Sequence, residues 1–206
     1  MKRYALALAA ILSVILSSPC LAANGYFGIQ AGLAVIPDSD TQISGFIPSE
    51  MAYDPGFGLG VMLGTKVETF RLEGELTYRS NDTDTLSDVT GSIPVSGEVT
   101  STTLMFNGYY DVKTASPIAP YLGLGLGISK ISADTQSLIG DVDDSDIVAA
   151  FQFVAGIGIT VNPRTTFDVS YRYLVTQDPS FSTNFGDTIE TEYSSHNLMV
   201  GMRFGF

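Results

Sequence analysis

Three groups of side chains in this sequence have the types and spacing to do chemistry. The first is a set of charges at alternate positions. Arg71, Glu73, Glu75 and Arg79 lie in one stretch, and Asp111, Asp168, Arg172 and Arg203 lie elsewhere. A spacing of two puts such residues on one face of a strand. If that face is enclosed, acids and bases must pair, because stranding one buried charge costs about 3–5 kcal/mol. The second group is Asp141-Val-Asp143-Asp144-Ser-Asp146, an oxygen-rich run of the kind that calcium or magnesium favours. It offers neither the glycine nor the glutamate that an EF-hand loop requires, so Asp141, Asp143, Asp144 and Asp146 are candidate ligands without a complete motif. The third group is Glu192, Ser194 and His196, the residue types of an acyl-transfer triad. Along a strand each step of two residues spans ~7 Å, too far for a proton relay. There is no phosphate loop, zinc spacing or nucleotide fingerprint. The expectation is a protein that is not an enzyme and holds no cofactor.

The elements that position these groups are strands. Alternation and turn residues mark eight segments: 25–36, 55–66, 68–80, 98–112, 119–131, 146–161, 166–176 and 190–206. One parity of each is apolar, as in Phe57, Leu59, Val61 and Leu63 or Leu122, Leu124, Leu126 and Ile128. The other parity holds glycine, polar residues and most of the strand charge. A soluble barrel needs apolar residues inside and polar ones outside. Here the charged parity belongs inside, so lipid is expected outside. Connections alternate: short at 65–68, 113–120 and 162–165, long at about 37–54, 81–97, 132–145 and 177–189. The fold class expected is all-β: an eight-stranded antiparallel transmembrane β-barrel with short periplasmic turns and four long external loops.

The N-terminus reads as a secretion signal. Lys2 and Arg3 precede an apolar run from Tyr4 to Leu16, and Cys20-Leu-Ala22 makes a small-x-small cleavage site. Residues 1–22 are therefore expected to be cleaved, after Ala22 or Ala23, leaving the barrel at 23–206. Pro19 directly before Cys20 argues against lipidation. The mature chain then has no cysteine and no disulfide. The net charge is −12, becoming about −14 once Lys2 and Arg3 are lost, which excludes nucleic acid as a natural partner.

In a closed ring the third and fourth segments face the seventh and eighth, so two charged walls oppose each other. Arg71 with Asp111, and Asp168 with Arg203, are expected as neighbouring ion pairs, with Arg172 reaching across to Glu73 or Glu75. Two walls rich in glycine flank them. A polar plug is the reading favoured, with a narrow ion path through the glycine-lined space as its rival. The four long connections and their edges carry seventeen of the chain's 22 acids: Asp38, Asp40, Glu50, Asp54, Asp82, Asp84, Asp88, Glu98, Asp134, Asp141, Asp143, Asp144, Asp146, Asp178, Asp187, Glu190 and Glu192. Residues 37–54, 81–97, 132–145 and 177–189 contain no lysine or arginine. Such a rim suits a solvated surface, a basic host ligand, or divalent cations bridging to lipopolysaccharide.

The runs Asn107-Gly-Tyr-Tyr-Asp111, Pro120-Tyr-Leu-Gly-Leu-Gly-Leu-Gly127, Tyr171-Arg-Tyr173 and His196-Asn to Gly201-Met-Arg-Phe-Gly-Phe206 resemble the small opacity-type and OmpA-like outer-membrane barrel domains. The resemblance spans nearly all of the mature chain and implies an integral protein of the cell outer membrane. Its members include adhesins, surface antigens, resistance factors and narrow porins. It implies that Phe204 and Phe206 form a signal for the barrel-assembly machinery. The peptidoglycan-binding domain of some relatives is not expected here. The expectation is a monomeric surface antigen, adhesin-like or envelope-integrity protein, set in outer-membrane lipid and lipopolysaccharide. Its external loops are available to a host or matrix ligand. A low-conductance, cation-preferring porin is the alternative.

Overall fold

The structure is a computed structural model, described over residues 24–37, 39–43, 49–88, 91–136, 142–182, 188–191 and 193–206. Twelve strands are formed by the described residues: β1 (Gly25–Val35), β2 (Ser39–Ile43), β3 (Ser49–Tyr53), β4 (Gly56–Val67), β5 (Phe70–Asp88) and β6 (Gly91–Asp111), then β7 (Ile118–Gln136), β8 (Val142–Asn162), β9 (Thr165–Thr176), β10 (Ser180–Ser182), β11 (Thr188–Thr191) and β12 (Ser194–Gly205). Eight of them make a ring in the order β1, β4, β5, β6, β7, β8, β9, β12, each antiparallel to its neighbours. The first and last strands close it, from Tyr26↔Gly205 to Val35↔His196. Closure pairs every wall strand on both sides and removes the free edge, which is the condition for spanning hydrocarbon with strands.

Alternation decides which residues face where. Leu124 is 69% exposed, Leu126 63% and Phe70 61%, and they share the outer surface with Ile29, Leu59, Leu72, Leu122 and Phe151. Inside, Arg71, Glu73, Glu75, Arg79, Asn107, Arg172 and Asn197 are buried. Apolar atoms left in water cost ~25 cal/mol per Å², so this outer surface is stable only against lipid. Aromatic pairs ring the short-turn end, where Phe27 stacks on Phe204 at 5.0 Å and Phe70 meets Tyr110 at 5.4 Å. The tight turn from β4 to β5 puts Glu68 at φ 56°, a left-handed conformation.

The wall is longer than the alternation predicts. Stretches 81–97 and 132–145, expected as long loops, are mostly hairpin arms: β5 and β6 stay paired to Asp88↔Gly91, and β7 and β8 to Thr135↔Val142. The other two long connections are zipped into the same wall. β11 pairs with β2, β2 with β3, and β3 takes a place beside β5 where β4 has ended. β10 pairs with β11 and abuts β8, where the Ser180 backbone N–H donates to Asp146 Oδ2 at 3.1 Å. The last segment, expected over 190–206, breaks at Tyr193 into β11 and β12. Strands β6 and β8 are 21 residues long, whereas a tilted strand crosses the hydrocarbon in ~9–11. Roughly half of the wall formed by β5 to β8 therefore stands clear of the lipid, at the end away from the short turns.

Candidate functional site: the charged lumen and its apolar cap

At the short-turn end the lumen begins with two ion-paired aspartates. Asp111 accepts from Lys66 Nζ at 2.6 Å and from Arg71 Nε at 2.8 Å. Asp168 takes both Nε and Nη2 of Arg203, at 2.6 and 2.8 Å. Adjacent strands place both pairs: Arg71 and Asp111 on β5 and β6, Asp168 and Arg203 on β9 and β12. The Arg71 guanidinium sits in the corner of the edge-to-face ring pair Tyr109 and Tyr121, 4.4 and 4.6 Å from their centres, within cation–π reach of both.

The next level is built on two glutamates of β5. Glu73 accepts the Tyr26 hydroxyl at 2.8 Å and the Tyr109 hydroxyl at 3.1 Å, with Arg71 Nη1 3.7 Å away. Glu75 accepts from Thr77 at 2.7 Å, from Gln30 Nε2 at 3.1 Å and from Asn107 Nδ2 at 2.8 Å. Arg172 of β9 spans the lumen to donate to Glu75 as well. Of the two acids open to Arg172 on sequence grounds, Glu75 is the one it meets. Arg79 crosses too, giving Nε to Asn197 Oδ1 at 2.8 Å and Nη1 to Thr103 Oγ1 at 3.2 Å. Among the described residues no carboxylate forms an ion pair with Arg79.

The glycine-lined space is occupied. A Cβ on Gly123 would strike the Tyr109 ring, one on Gly125 would strike Asn107, and one on Gly156 would come within 2.6 Å of Tyr121. Glycine on one strand is thus the counterpart of a long polar side chain on the strand paired with it. Tyr26, Gln30, Tyr121, Gln152 and Asn197 complete the network. Sequence reasoning left them out of it, although each shares parity with the inward glycines or charges of its own strand.

Beyond Arg79 the lumen changes character. Ile36, Val99, Ile131, Ala133, Val148, Leu174, Phe181 and Tyr193 form one buried apolar cluster, with the Tyr193 hydroxyl donating to Ser101 Oγ at 3.0 Å. Phe181 and Tyr193 enter it from the β10–β12 connection. This cluster caps the polar lumen at the end opposite the short turns.

The remaining candidate residues are placed as follows. Asp144 accepts from the Ser145 N–H at 2.8 Å, and Asp146 binds the N–H groups of Ile147 and Ser180 at 2.7 and 3.1 Å. Asp146 is thereby occupied in joining β8 to β10. Asp141 and the side chain of Asp143 lie outside the described residues, and among the described residues no group of acids, histidines or cysteines is arranged to hold a metal. His196 shares a hydrogen bond with the Tyr171 hydroxyl through Nδ1 at 2.6 Å and stacks on Tyr173 at 4.8 Å, so its partners lie across on β9. Glu192 is outside the described residues. Phe206 is 66% exposed, and its N–H donates to the Gly25 carbonyl at 3.1 Å.

Comparison with known proteins agrees with this geometry. Residues 6–204 match the family described as outer membrane protein beta-barrel domain. The chain is 28% identical over 174 residues to outer membrane protein PagN of Salmonella typhimurium, covering 73% of each chain. It is 24% identical to the putative adhesin RP828 of Rickettsia prowazekii, covering 98% of this chain and 96% of that one. Among solved structures it resembles OprG of Pseudomonas aeruginosa, with a TM-score of 0.65 at 15% identity, covering 89% of this chain and 96% of the other. It also resembles Neisserial surface protein A, with a TM-score of 0.56 at 20% identity, covering 87% and 97%. A closed wall, greasy outside and ionic inside, therefore has its place: the chain belongs to the outer membrane protein beta-barrel domain family and is an integral protein of the outer membrane.

Proposed function

We propose that this protein is an adhesin-like surface protein whose working part is the folded extension beyond the membrane. The observation that carries the reading is the apolar cap. Hydrocarbon packed across the lumen from Ile131 to Tyr193 opposes the passage of ions, so the barrel serves as an anchor. The extension presents Asp54, Asp82, Glu98 and Asp134 to solvent. Its segments 37–54, 81–97, 132–145 and 177–189 hold no compensating lysine or arginine. A surface of one sign steers a partner of the opposite sign, so the partner is a basic patch on a host or matrix protein. The names of relatives, a putative adhesin and the major surface antigen 4 of Anaplasma marginale, support the same class. We further assign no catalytic role, a monomeric state in lipid and lipopolysaccharide, and recognition of Phe204 and Phe206 by the assembly machinery.

The test is attachment of cells carrying the protein to immobilised matrix proteins. Replacing residues 84–96 with a two-residue turn removes the arms of β5 and β6 and should leave a folded barrel that no longer attaches. Attachment by the intact protein should weaken with salt, since the Debye length falls from ~10 Å at 0.1 M to ~3 Å at 1 M. Equal attachment by the shortened protein overturns the reading. Steady, cation-selective openings of the refolded protein in planar bilayers overturn it in favour of a narrow porin.

A further inference from the structure

A groove of about 690 Å³ crosses the lipid-facing side of the wall, open along its length and almost wholly apolar. It starts at Thr102 of β6 and Tyr78 of β5, passes Leu59, Ala31 and Val200, and ends at Phe167 of β9. The ladders explain its course. Thr102 pairs with Tyr78, Tyr78 with Leu59, Leu59 with Ala31 and Ala31 with Val200, so these side chains form one outward row perpendicular to the strands. Ala31 is the low point of the row, a methyl between a leucine and a valine. One step further along the same row, beyond Thr102, stands Lys130 of β7. It is exposed, and among the described residues it is the one lysine or arginine on the outward face away from the short turns. From Lys130 to Val200 the row crosses six neighbouring strands, a length of ~24 Å at ~4.8 Å per step. Lys130 lies high on β7, whereas Val200 lies towards the short-turn end of β12. With strands tilted by ~40° the row therefore descends ~15 Å, about half of the ~30 Å hydrocarbon core.

We propose that this row is a binding site for one lipopolysaccharide molecule, with a lipid A phosphate on Lys130 and one acyl chain laid along the groove. The groove is continuous with the surface that already meets lipid. Its lining suits hydrocarbon, and its length and descent are those of a chain entering from the outer leaflet. Charge complementarity selects the lipid. The exposed Glu98 and Asp134 above the boundary repel an anionic headgroup, and Lys130, four residues below Asp134 on β7, is where one can be held. The hydroxyls of Thr102 and Tyr78, the next two side chains of the row, offer donors to carbonyl oxygens at the head of the chain. A phospholipid of the opposite leaflet would meet the groove at its lower end, where Val200 and Phe167 offer no polar group. The site uses only the membrane-facing wall and is independent of the adhesin reading.

The test titrates the refolded full barrel in detergent with purified lipopolysaccharide and counts bound lipid by native mass spectrometry. One lipopolysaccharide per barrel is expected to be retained, and phosphatidylglycerol at equal concentration far less. Ala31→Phe fills the groove and should abolish retention. Ala155→Phe, the same change opposite Leu122 on the outward face of β8, should leave it unaltered. Lys130→Gln should weaken retention about fivefold, the worth of one lysine against an anionic lipid surface. Lipopolysaccharide stripped of its lipid A phosphates should bind the wild type and Lys130→Gln alike. Equal retention by Ala31→Phe and Ala155→Phe overturns the proposal and leaves only ordinary surrounding lipid. Equal retention of phosphatidylglycerol overturns it as well, as a seat for any anionic lipid. Paired barrels that Ala31→Phe separates would overturn it in favour of a second copy of this chain. If Ala31→Phe does not fold, Lys130→Gln with intact and dephosphorylated lipopolysaccharide decides alone.

Discussion

Two stretches of the same strands solve the interior in opposite ways. On β7 the lower inward positions are Tyr121, three glycines and Ser129, and the outward ones are Leu122, Leu124, Leu126 and Ile128. Two residues on, the parities exchange character. Ile131 and Ala133 are buried inside, while Lys130 and Asp134 are exposed outside. β6 does the same, from Asn107 inside and Phe106 outside to Val99 inside and Glu98 outside. No change of backbone accompanies this, since the ladder between β6 and β7 keeps one register from Asp111↔Tyr121 to Ser96↔Gln136. What changes is the solvent. Against lipid, apolar side chains gain nothing by turning inward, and the interior can hold charges that satisfy one another. Against water the hydrophobic effect returns, and the same wall encloses an ordinary core. The exchange of parity marks the membrane boundary, near Lys130 on β7 and Thr102 on β6.

If that division is right, the two halves should fail differently. The largest effect is expected below the boundary. Arg172→Met leaves the fully buried Glu75 without its cation and should cost about 3–5 kcal/mol, read from urea unfolding in lipid vesicles. The double variant Arg172→Met, Glu75→Met should recover much of that loss. A single-variant cost below about 1 kcal/mol would show that the network is more solvated than its burial implies. Above the boundary the cost should come from a lost hydrocarbon contact instead. Leu174, wholly buried in the apolar cluster, should lose about 2–5 kcal/mol on replacement by alanine. That loss should appear first as faster amide exchange in β10, β11 and the outer arms of β5 to β8, with the membrane wall still protected. Uniform loss of protection along β9 and β12 would show that the halves unfold as one unit.

The same division explains what could be read from the sequence. The eight wall strands and their facing were legible because one parity is apolar throughout the lipid. On β6 and β7 the alternation ran out near residues 98 and 131 because the pattern reverses there. A strand whose apolar residues move to the other face looks like the end of a strand. The short strands β2, β3, β10 and β11 carry no parity signal long enough to see, and the pairings that join them to the wall, β11 with β2 and β3 with β5, link segments far apart along the chain. Within the lumen the eight charges were legible as inward residues, and the closed ring was enough to set Arg71 beside Asp111 and Asp168 beside Arg203. Whether Arg172 meets Glu73 or Glu75 depends on stagger between opposite walls, which alternation does not carry. Tyr26, Tyr121 and Gln152 were missed for a related reason. The two tyrosines fill the space above glycines on the paired strand, Tyr26 over Gly64 and Tyr121 over Gly156, while Gln152 donates to Asn107, and such pairings exist only in three dimensions.

The smallest effects locate the boundary itself. Leu126 and Lys130 lie on the same face of β7, four residues apart, both exposed. If hydrocarbon covers the first and not the second, exchanging their characters must have unequal consequences. Leu126→Lys puts a charge into lipid and should cost ~2–4 kcal/mol, as at a bilayer midplane. Lys130→Leu should change stability by no more than ~1 kcal/mol, the range near an interface. Both are measurable by reversible unfolding in vesicles of one lipid, and thicker bilayers should shift the two values in predictable directions. Hydrocarbon reaching Lys130 would make the native lysine a liability and Lys130→Leu clearly stabilising. Equal and small effects at both positions would instead place the polar interface below Leu126 and shorten the spanning wall by at least one alternation. Only the unequal result, with its cost at Leu126 and near-neutrality at Lys130, fits a boundary drawn where the parities exchange.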